Sequence, residues 1–303
     1  MKLCVIGGAG ARSAFLTKSL VKSAREIRVD HIVLLDNNEE HLRTYGQISK
    51  ELARRMEPSL TFDITSDARG ALTGADYIIT TIRAGGDAGR LFDEKTCLAH
   101  GVLGQETTGA GGFAMAIRSV PTLVYYCTLA REVSNPGHLI FNFTNPSGII
   151  TQALRSCGFA NVYGICDAPS GFIKQLEEIL NVPYGALDIE CYGLNHLSWF
   201  RNAKLDGRDV QEELLNNPRT YQHSEMRLFT REMARLSGEC MLNEYLYFYY
   251  RREKSLSMVQ KAEHPRGEMI YLINRELETQ LAQMELPRDF EKAFNLYMNA
   301  FSK

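Results

Sequence analysis

A cysteine and a histidine stand in short motifs that could bind a divalent metal. Cys166 follows an apolar run, and His196 lies 30 residues later on a separate segment. This spacing is too long for a compact zinc finger. A thiolate and an imidazole that leave positions open suit a borderline divalent metal acting as a Lewis acid on substrate oxygens. Spacing alone equally allows a buried free cysteine and a hydrogen-bonded core histidine.

A glycine-rich loop near the N-terminus is typical of dinucleotide binding. Gly8 and Gly10 follow a short apolar run and precede a helical pattern, so they can form a tight turn and let the backbone approach a pyrophosphate. Ser13 replaces the third glycine of the fingerprint. Asp36 ends the next apolar run, where a carboxylate would bind the ribose hydroxyls of NAD and repel the 2′-phosphate of NADP. A plain glycine turn with a surface aspartate is the alternative.

Alternating strand and helix patterns must position these residues. Short apolar runs recur along the first half of the chain: Leu3–Ile6, His31–Leu35, Leu60–Ile64, Tyr77–Ile82, His138–Phe143 and Asn161–Cys166. Such runs, separated by helices, predict a parallel sheet buried on both faces. The predicted fold class is α/β, a Rossmann-like doubly wound sheet with a second, helix-rich α+β domain. We expect the NAD-binding domain to span 1–165 and the metal and substrate domain to span 166–303.

Composition and charge exclude several classes of protein. Of the 303 residues, 45% are hydrophobic and 23% are charged, which is ordinary for a globular protein. Lys and Arg number 34 and Asp and Glu 36, a net charge of −2, so no overall field favours nucleic acid or an anionic membrane. No stretch approaches the ~18 consecutive apolar residues of a membrane span. Seven scattered cysteines without a C-x-x-C pair indicate reduced thiols, and we expect a cytoplasmic protein.

Four further motifs lie along the chain: Leu103–Gly112, Asn142–Pro146, Gly164–Pro169 and Gly193–His196. In their order and spacing they resemble those of glycoside hydrolase family 4, the NAD- and metal-dependent glycosidases. The resemblance runs from residue 1 to about Arg266. Members of the family are usually considerably longer, so we expect this chain to lack a C-terminal part. The family is an exception to the two-carboxylate chemistry of most glycosidases.

The resemblance implies cofactors and catalytic residues. It implies NAD together with Mn²⁺ or another divalent metal, held by Cys166, His196 and hydroxyls of the sugar. It implies Tyr245, in a tyrosine-rich helical segment, as the base that removes a proton from sugar C2. A phenol with a reference pKa of about 10 needs a nearby cation for that task at neutral pH. Asp167 would protonate the leaving oxygen or organise water.

The resemblance also implies four substrate-binding residues. Arg90 matches a position that grips a substrate phosphate, and Arg266 matches a second phosphate or sugar contact; a planar guanidinium can bind two phosphate oxygens. Asn145 and Glu106 are implied as sugar contacts, and Arg83 is a weaker candidate for anion binding. Each has an ordinary alternative: a surface arginine, an Asn-Pro turn or a solvated loop carboxylate.

The implied reaction oxidises C3 of the sugar transiently with NAD⁺, which makes the C2 proton acidic, and then eliminates the aglycone. The implied partner is a phosphorylated disaccharide or glucoside, and the implied assembly is a homo-oligomer, a dimer or tetramer. The loop 104–112 favours a 6-phospho-β-glucosidase, whereas Asp167 after the cysteine and Trp199 favour a 6-phospho-α-glucosidase. We predict the β-type enzyme and keep the α-type as the alternative.

Two functions from other classes also fit the sequence. An NAD-dependent hydroxy-acid dehydrogenase would share the Rossmann domain, but it needs a catalytic His–Asp pair and has no use for a metal-binding cysteine. Net production of NADH from free hydroxy acids would reveal it. An inactive NAD-binding sensor would bind the cofactor without turnover even in the presence of Mn²⁺ and a reductant.

Overall fold

Two compact units make up the chain. The structure, a computed structural model, describes residues 1–286 and 288–300. The units consist of the following segments: Met1–Cys97, Gly104–Ile165 and Glu263–Lys303 in the first, Leu98–Leu103 and Cys166–Ala262 in the second.

Six parallel strands form the sheet of the first unit. They are β1 Lys2–Ile6, β2 His31–Leu35, β3 Thr61–Thr65, β4 Tyr77–Thr80, β5 Leu139–Asn142 and β6 Val162–Gly164. They pair in the order β3-β2-β1-β4-β5-β6, which is the order of doubly wound dinucleotide-binding sheets. The order reverses between β1 and β4, and sites in such sheets lie at that point beyond the carboxyl ends of the strands. The predicted fold class is confirmed.

Helices accompany the sheet in the first unit. They are α1 Ser13–Ser23, α2 Glu39–His41, a π-helical turn Leu42–Gly46, α3 Gln47–Met56, α4 Ala68–Leu72, α5 Gly86–Ala99, α6 Gly109–Val133, α7 Ser147–Ser156, α14 Arg266–Leu281 and α15 Phe290–Ala300. Alternate residues of a strand point to opposite faces. Cys4 and Ile6 of β1 therefore belong to one core cluster, and Leu3 and Val5 belong to another. Both faces are buried, as the apolar runs predict.

Helix α6 is long and apolar enough to cross a membrane by length and composition, the one such helix among the described residues. Its residues Leu123, Cys127 and Ala130 are buried in the same cluster as Ile78 of β4 and Ile140 of β5. Packing against the sheet accounts for the apolar side of this helix.

The C-terminal helices α14 and α15 pack on the first unit, although the sequence places them in the second domain. Leu281 and Tyr297 share a core cluster with Tyr45 and Ile48. The His41 Nε2 atom also lies 3.1 Å from an Oε1 oxygen of Glu278. The metal and substrate domain was predicted to span 166–303, whereas in the structure α14 and α15 belong to the first unit. Amphipathic helices bury their apolar face against a matching apolar surface, which need not belong to the elements that precede them in sequence.

An antiparallel sheet and short helices form the second unit. The strands are β7 Leu187–Leu194, β8 Leu197–Leu205, β9 Arg208–Asp209 and β10 Met241–Leu242, with β8 between β7 and β10. The helices are α8 Ala168–Leu180, α9 Gln211–Asn216, α10 Thr220–His223, a 3₁₀ turn Glu225–Leu228, α11 Arg231–Leu236, α12 Leu246–Tyr250 and α13 Arg252–Lys261. Phe172, Phe200 and Leu246 lie in its apolar core.

Candidate active site

The glycine loop after β1 forms a tight turn whose left-handed residue is Gly7, at φ +78°. The backbone nitrogens of Gly7 and Gly8 both donate to the Leu35 carbonyl of β2, at 2.8 and 3.0 Å. A Cβ on Gly8 would lie 2.9 Å from the Leu34 Cβ atom. The tight turn is thus made by Gly7, while Gly8 is required by the close approach of β2; neither requirement depends on a cofactor.

Gly10 differs from these two glycines because the space around it is open. A Cβ added there would meet only the Gly7 carbonyl oxygen, 3.7 Å away. Ser13, at the third position of the fingerprint, begins α1, and its hydroxyl accepts a hydrogen bond of 3.1 Å from the Ser49 hydroxyl of α3. Open space at Gly10 ahead of a helix N-terminus fits the pyrophosphate of a dinucleotide.

Asp36 is held firmly at the end of β2. Its two carboxylate oxygens accept backbone hydrogen bonds from Ala9 at 3.1 Å and from Asn38 at 3.0 Å. Each oxygen has a second lone pair, which leaves capacity for ribose hydroxyls. Burial, the neighbouring Tyr125 and the charge of Asp36 raise the pKa of Tyr126 on α6. Sequence reasoning did not identify Tyr126 as a neighbour of Asp36, because the two residues are 90 positions apart.

Cofactor choice provides a test of Asp36. We expect wild-type protein to bind NAD⁺ more tightly than NADP⁺, because the carboxylate repels a 2′-phosphate. Asp36→Ala removes that repulsion and the ribose contacts, so the ratio of the two dissociation constants should fall toward unity. Calorimetric titration with both dinucleotides measures it. Tighter binding of NADP⁺ by the wild-type protein would contradict the assignment.

Cys166 and His196 meet in the second unit. Cys166 precedes α8, and its Sγ atom lies 3.4 Å from the Nε2 atom of His196. His196 occupies the two-residue turn between β7 and β8, which is closed by the pairing of Leu194 with Leu197. Its φ of +59° is left-handed, which costs a residue with a Cβ roughly 1–3 kcal/mol. His196 is the second residue of this turn, a position that is left-handed in type II turns, so the turn accounts for its φ.

The state of the imidazole suits metal binding. Burial lowers the pKa of His196, and the charges of Glu244 and Asp167 act in the opposite direction. The neutral ring that results is the form that ligates metals. Two atoms 3.4 Å apart can both reach one ion, given metal–sulfur and metal–nitrogen bonds of about 2.3 and 2.1 Å. Cys166 and His196 therefore fit a divalent metal site.

The protein supplies few ligands to such a site. Among the residues that the structure describes, no cluster of three or more His, Cys, Asp and Glu side chains could hold a metal ion. The buried Nδ1 atom of His196 and the buried Oδ1 atom of Asn195 have no hydrogen-bond partner among the described residues. A two-ligand site leaves several coordination positions for substrate oxygens or water.

Tyr245 and Asp167 flank this pair. The ring of Tyr245 stacks on the imidazole of His196, with centroids 4.5 Å apart and an interplanar angle of 22°. Tyr245 directly precedes α12, so the predicted helical segment begins just after it. Asp167 is exposed, and its Oδ1 atom lies 4.0 Å from the Cys166 sulfur. The structure thus brings four of the predicted site residues together, while their roles stay predictions.

Arg90 and Glu106 bind each other in the first unit. The Arg90 side chain is buried, and its Nη1 atom lies 2.9 Å from a Glu106 oxygen while its Nε donates to Glu94 at 2.9 Å. Arg83 donates to Glu106 at 2.8 Å and also pairs with Asp87. A phosphate would have to replace a carboxylate to reach Arg90. The geometry favours a structural ion-pair network here, a role that the sequence motif does not distinguish from anion binding.

Asn145 and Arg266 lie at element ends in the first unit. Asn145 is half-buried after β5 and precedes Pro146 through a cis peptide bond. Arg266 is exposed at the first position of α14, so its guanidinium is open to an anion. Both assignments stay predictions.

The side chain of Glu94, on α5, caps the N-terminus of α14. Its Oε2 atom accepts a 2.7 Å hydrogen bond from the Gly267 nitrogen in the first turn of α14, while Oε1 binds Arg90. First-turn nitrogens have no partner within their own helix. A Cβ on Gly267 would lie 2.4 Å from the Glu94 oxygen, so a larger residue there would displace the capping carboxylate. Glu94 therefore fixes the start of the helix that carries Arg266.

The cap predicts a stability loss. Glu94→Ala leaves a buried guanidinium with one carboxylate fewer and an orphaned Gly267 nitrogen, so it should lower the free energy of unfolding by about 3 kcal/mol. Lys95→Ala removes an exposed partner of Glu268 on the same pair of helices and should change it little. Urea unfolding of both variants makes the comparison. Equal losses would contradict the capping role.

Comparison with known proteins places the chain in a family. Residues 2–182 match family 4 glycosyl hydrolases, and residues 191–300 match the C-terminal domain of the same family. The 6-phospho-beta-glucosidase BglT of Thermotoga maritima is 30% identical over 297 residues, which cover 96% of this chain and 69% of that protein. The chain spans between 49% and 69% of the length of four curated relatives it matches.

Solved structures of related enzymes agree. The 6-phospho-beta glucosidase of Thermotoga maritima with manganese, NAD⁺ and glucose-6-phosphate has a TM-score of 0.82 at 30% identity, over 99% of this chain and 72% of that one. A 6-phospho-alpha-glucosidase from gut microorganisms with NAD and glucose-6-phosphate has a TM-score of 0.87 at 25% identity, over 98% and 70%. The family resemblance predicted from the motifs is confirmed, and the chain belongs to glycoside hydrolase family 4.

Proposed function

We propose that this chain hydrolyses 6-phospho-β-glucosides with NAD and a divalent metal, Mn²⁺ by preference. The observation that carries the proposal is the grouping of Cys166, His196 and Tyr245, with 3.4 Å between the sulfur and the imidazole and a stacked phenol on the other side of the ring. Relatives named for both anomers match the chain, and the loop 104–112 favours the β anomer. The 6-phospho-α-glucosidase is the second candidate, because exposed Asp167 directly follows the cysteine.

The residues present fit both cofactors. Open space at Gly10 and the fixed carboxylate of Asp36 would hold NAD, and Cys166 with neutral His196 would hold the metal. When bound, NAD⁺ supplies a reversible hydride acceptor for sugar C3, and the divalent cation supplies a Lewis acid. Neither is consumed in hydrolysis, since the hydride returns to the sugar.

The chain's own residues carry the proton transfers. A C2 proton becomes acidic once C3 is a ketone, and Tyr245 removes it as the general base. Loss of that proton expels the aglycone from C1, and Asp167 gives a proton to the departing oxygen or orients water there. That water adds its oxygen to C1 while a proton returns to C2, and C3 is then reduced back to the alcohol. Stacking on His196 limits the motion of the Tyr245 ring, which keeps the phenolic oxygen in one direction. The exposed guanidinium of Arg266 binds the 6-phosphate.

We propose that the reaction takes place in a bacterial cytoplasm. Relatives from Thermotoga maritima and Escherichia coli, named 6-phospho-beta-glucosidases, support this proposal. We propose that the chain works as a homo-oligomer, a dimer or tetramer, which sedimentation or light scattering would measure.

A substrate panel tests the proposal. We expect p-nitrophenyl 6-phospho-β-glucoside to be cleaved only with both NAD⁺ and Mn²⁺ present, and the α anomer and unphosphorylated glucosides to be cleaved more slowly. Faster cleavage of the α anomer would establish the second candidate. Accumulation of NADH from hydroxy acids would instead identify a dehydrogenase, and NAD⁺ binding without turnover of any compound would identify a sensor.

A further inference from the structure

Glu225 is a buried carboxyl group in the second unit that the proposed mechanism does not use. It begins the 3₁₀ turn Glu225–Leu228 and is 8% exposed. Its backbone nitrogen donates to the Gln175 side chain at 2.9 Å, which anchors the turn to α8. A carboxyl group in such a place needs specific hydrogen-bond donors.

Those donors come from the segment that leads into Tyr245. The Oε2 atom of Glu225 accepts from the Asn243 side-chain nitrogen at 2.9 Å and from the Glu244 backbone nitrogen at 3.0 Å. Asn243 is 1% exposed, and its Oδ1 atom accepts from the Tyr245 backbone nitrogen at 3.2 Å. An amide has one acceptor oxygen and one donor nitrogen. Because Glu225 binds the nitrogen, the oxygen must face Tyr245.

The opposite side of the segment is fixed by the sheet. The Asn243 backbone nitrogen donates to the Ser198 carbonyl of β8 at 3.1 Å, and Leu242 of β10 pairs with Trp199. Strand β8 begins one residue after His196. Tyr245 is therefore located relative to the imidazole by strand pairing on one side and by Glu225 on the other.

We propose that Glu225 is a positioning residue for Tyr245, which it holds in the stack on His196 through the side chain of Asn243. The inference rests on the proposed function, because it takes Tyr245 as the base. Misplacement of a reacting group by about 1 Å can cost ~10²-fold in rate. The Glu225–Asn243 pair is thus required for rate rather than for binding.

The charges around Glu225 make this positioning sensitive to pH. Burial raises the pKa of Glu225 to about 7, with a contribution from the charge of Glu244, while hydrogen bonds and Arg227 oppose the shift. Glu244 is itself paired with Arg227 at 3.0 Å, and Cys191 of β7 is the other titratable neighbour, with its own pKa raised mainly by burial. Ionised Glu225 makes charge-assisted bonds that are stronger than those of the neutral acid.

Activity of matched variants tests the proposal. Glu225→Ala should lower kcat by about 10²-fold with KM for the phosphoglucoside unchanged, since only the base is displaced. Glu177→Ala is the control: Glu177 is 1% exposed and accepts backbone bonds from Gly185 at 2.8 Å and Leu187 at 3.0 Å, away from Tyr245. It should keep kcat at equal folded fraction. An equal loss of kcat in both variants would overturn the proposal.

The conservative variant gives a readout that a purely structural role would not move. Glu225→Gln keeps a carbonyl acceptor for Asn243 but does not titrate. Like the neutral acid, it lacks the charge-assisted bonds, so its kcat at pH 8 should stay near the reduced level that the wild type shows below pH 7, and the acid limb near pH 7 should disappear from its kcat profile. A profile identical to that of the wild type would overturn the proposal.

A measurement without substrate separates this inference from the proposed function. Trp199 is the single tryptophan, pairs with Leu242, and donates through Nε1 to the Tyr250 hydroxyl at the end of α12, at 3.3 Å. Its emission should titrate near pH 7 in the wild type and lose that step in Glu225→Gln. If no phosphoglucoside is cleaved but the emission of Trp199 still changes near pH 7 through Glu225, the proposed function is wrong, while the coupling of Glu225 to the segment 243–245 is supported. Wild-type emission that does not depend on Glu225 overturns the inference, whatever the activity.

Discussion

Cys166→Ser should abolish metal-dependent hydrolysis while the protein stays folded and continues to bind NAD⁺. A serine hydroxyl has nearly the shape of the thiol but is a far poorer ligand for a borderline metal, and His196 alone cannot hold the ion. Removing an outer group around a metal typically costs 10–100-fold in affinity. Loss of one of two protein ligands should therefore weaken Mn²⁺ binding by at least ~100-fold.

The measurement has a readout that is independent of turnover. Free Mn²⁺ gives a six-line electron paramagnetic resonance signal that diminishes on binding, so titration of protein into Mn²⁺ gives the affinity directly. Cys191→Ser is the matched control, because Cys191 is a second free thiol, on β7 in the same unit. Wild-type Mn²⁺ affinity in Cys166→Ser would show that the metal binds elsewhere. Oxidation of the wild type should mimic the variant and be reversed by reductant, since the thiolate is the ligand.

Local chemistry explains the parts of this protein that the sequence predicts well. Strand β2 has the same bounds as the predicted run His31–Leu35. Consecutive apolar residues that favour strands are typical of a parallel strand buried on both faces. The site at Cys166 and His196 was predicted from family motifs, and the residues meet because a two-residue turn after β7 presents the imidazole. Motifs identify such residues, whereas the 3.4 Å separation comes only from tertiary structure.

Long-range packing explains what the sequence does not predict. The buried setting of Arg90 depends on Glu94 and Glu106, which an arginine-containing motif does not reveal. Helices α14 and α15 lie with the first unit because Tyr45 and Ile48 offer them an apolar surface. In the sequence, Glu225 does not differ from the other glutamates of the helix-rich region, because its hydrogen-bond partner Asn243 is 18 residues away. Each case requires knowing which distant surface a side chain meets.

Tyr245→Phe should lower kcat by ~10²–10⁴-fold, the usual contribution of a general base. The substitution removes the phenolic oxygen but keeps the ring that stacks on His196 at 4.5 Å and packs at a tilt against Phe248 at 5.2 Å, so stability and NAD⁺ affinity should change little. Tyr249→Phe is the matched control, because Tyr249 is 49% exposed on α12, the short helix that directly follows Tyr245. It should retain the wild-type rate.

Hydrogen exchange at C2 then separates the base from the pathway. In D₂O, wild-type turnover should place deuterium at C2 of the released sugar phosphate, because an elimination removes that proton and water returns one, whereas direct displacement at C1 never breaks the C2–H bond. Mass spectrometry of the released sugar phosphate measures the deuterium incorporated at C2. Exchange at the full rate in Tyr245→Phe would keep the oxidation–elimination route but assign the base to another residue. If the wild-type enzyme is active but leaves C2 unlabelled, the oxidation–elimination route is wrong. Tyr245, whose ring stacks on His196, would then have no C2 proton to remove and no role as the base.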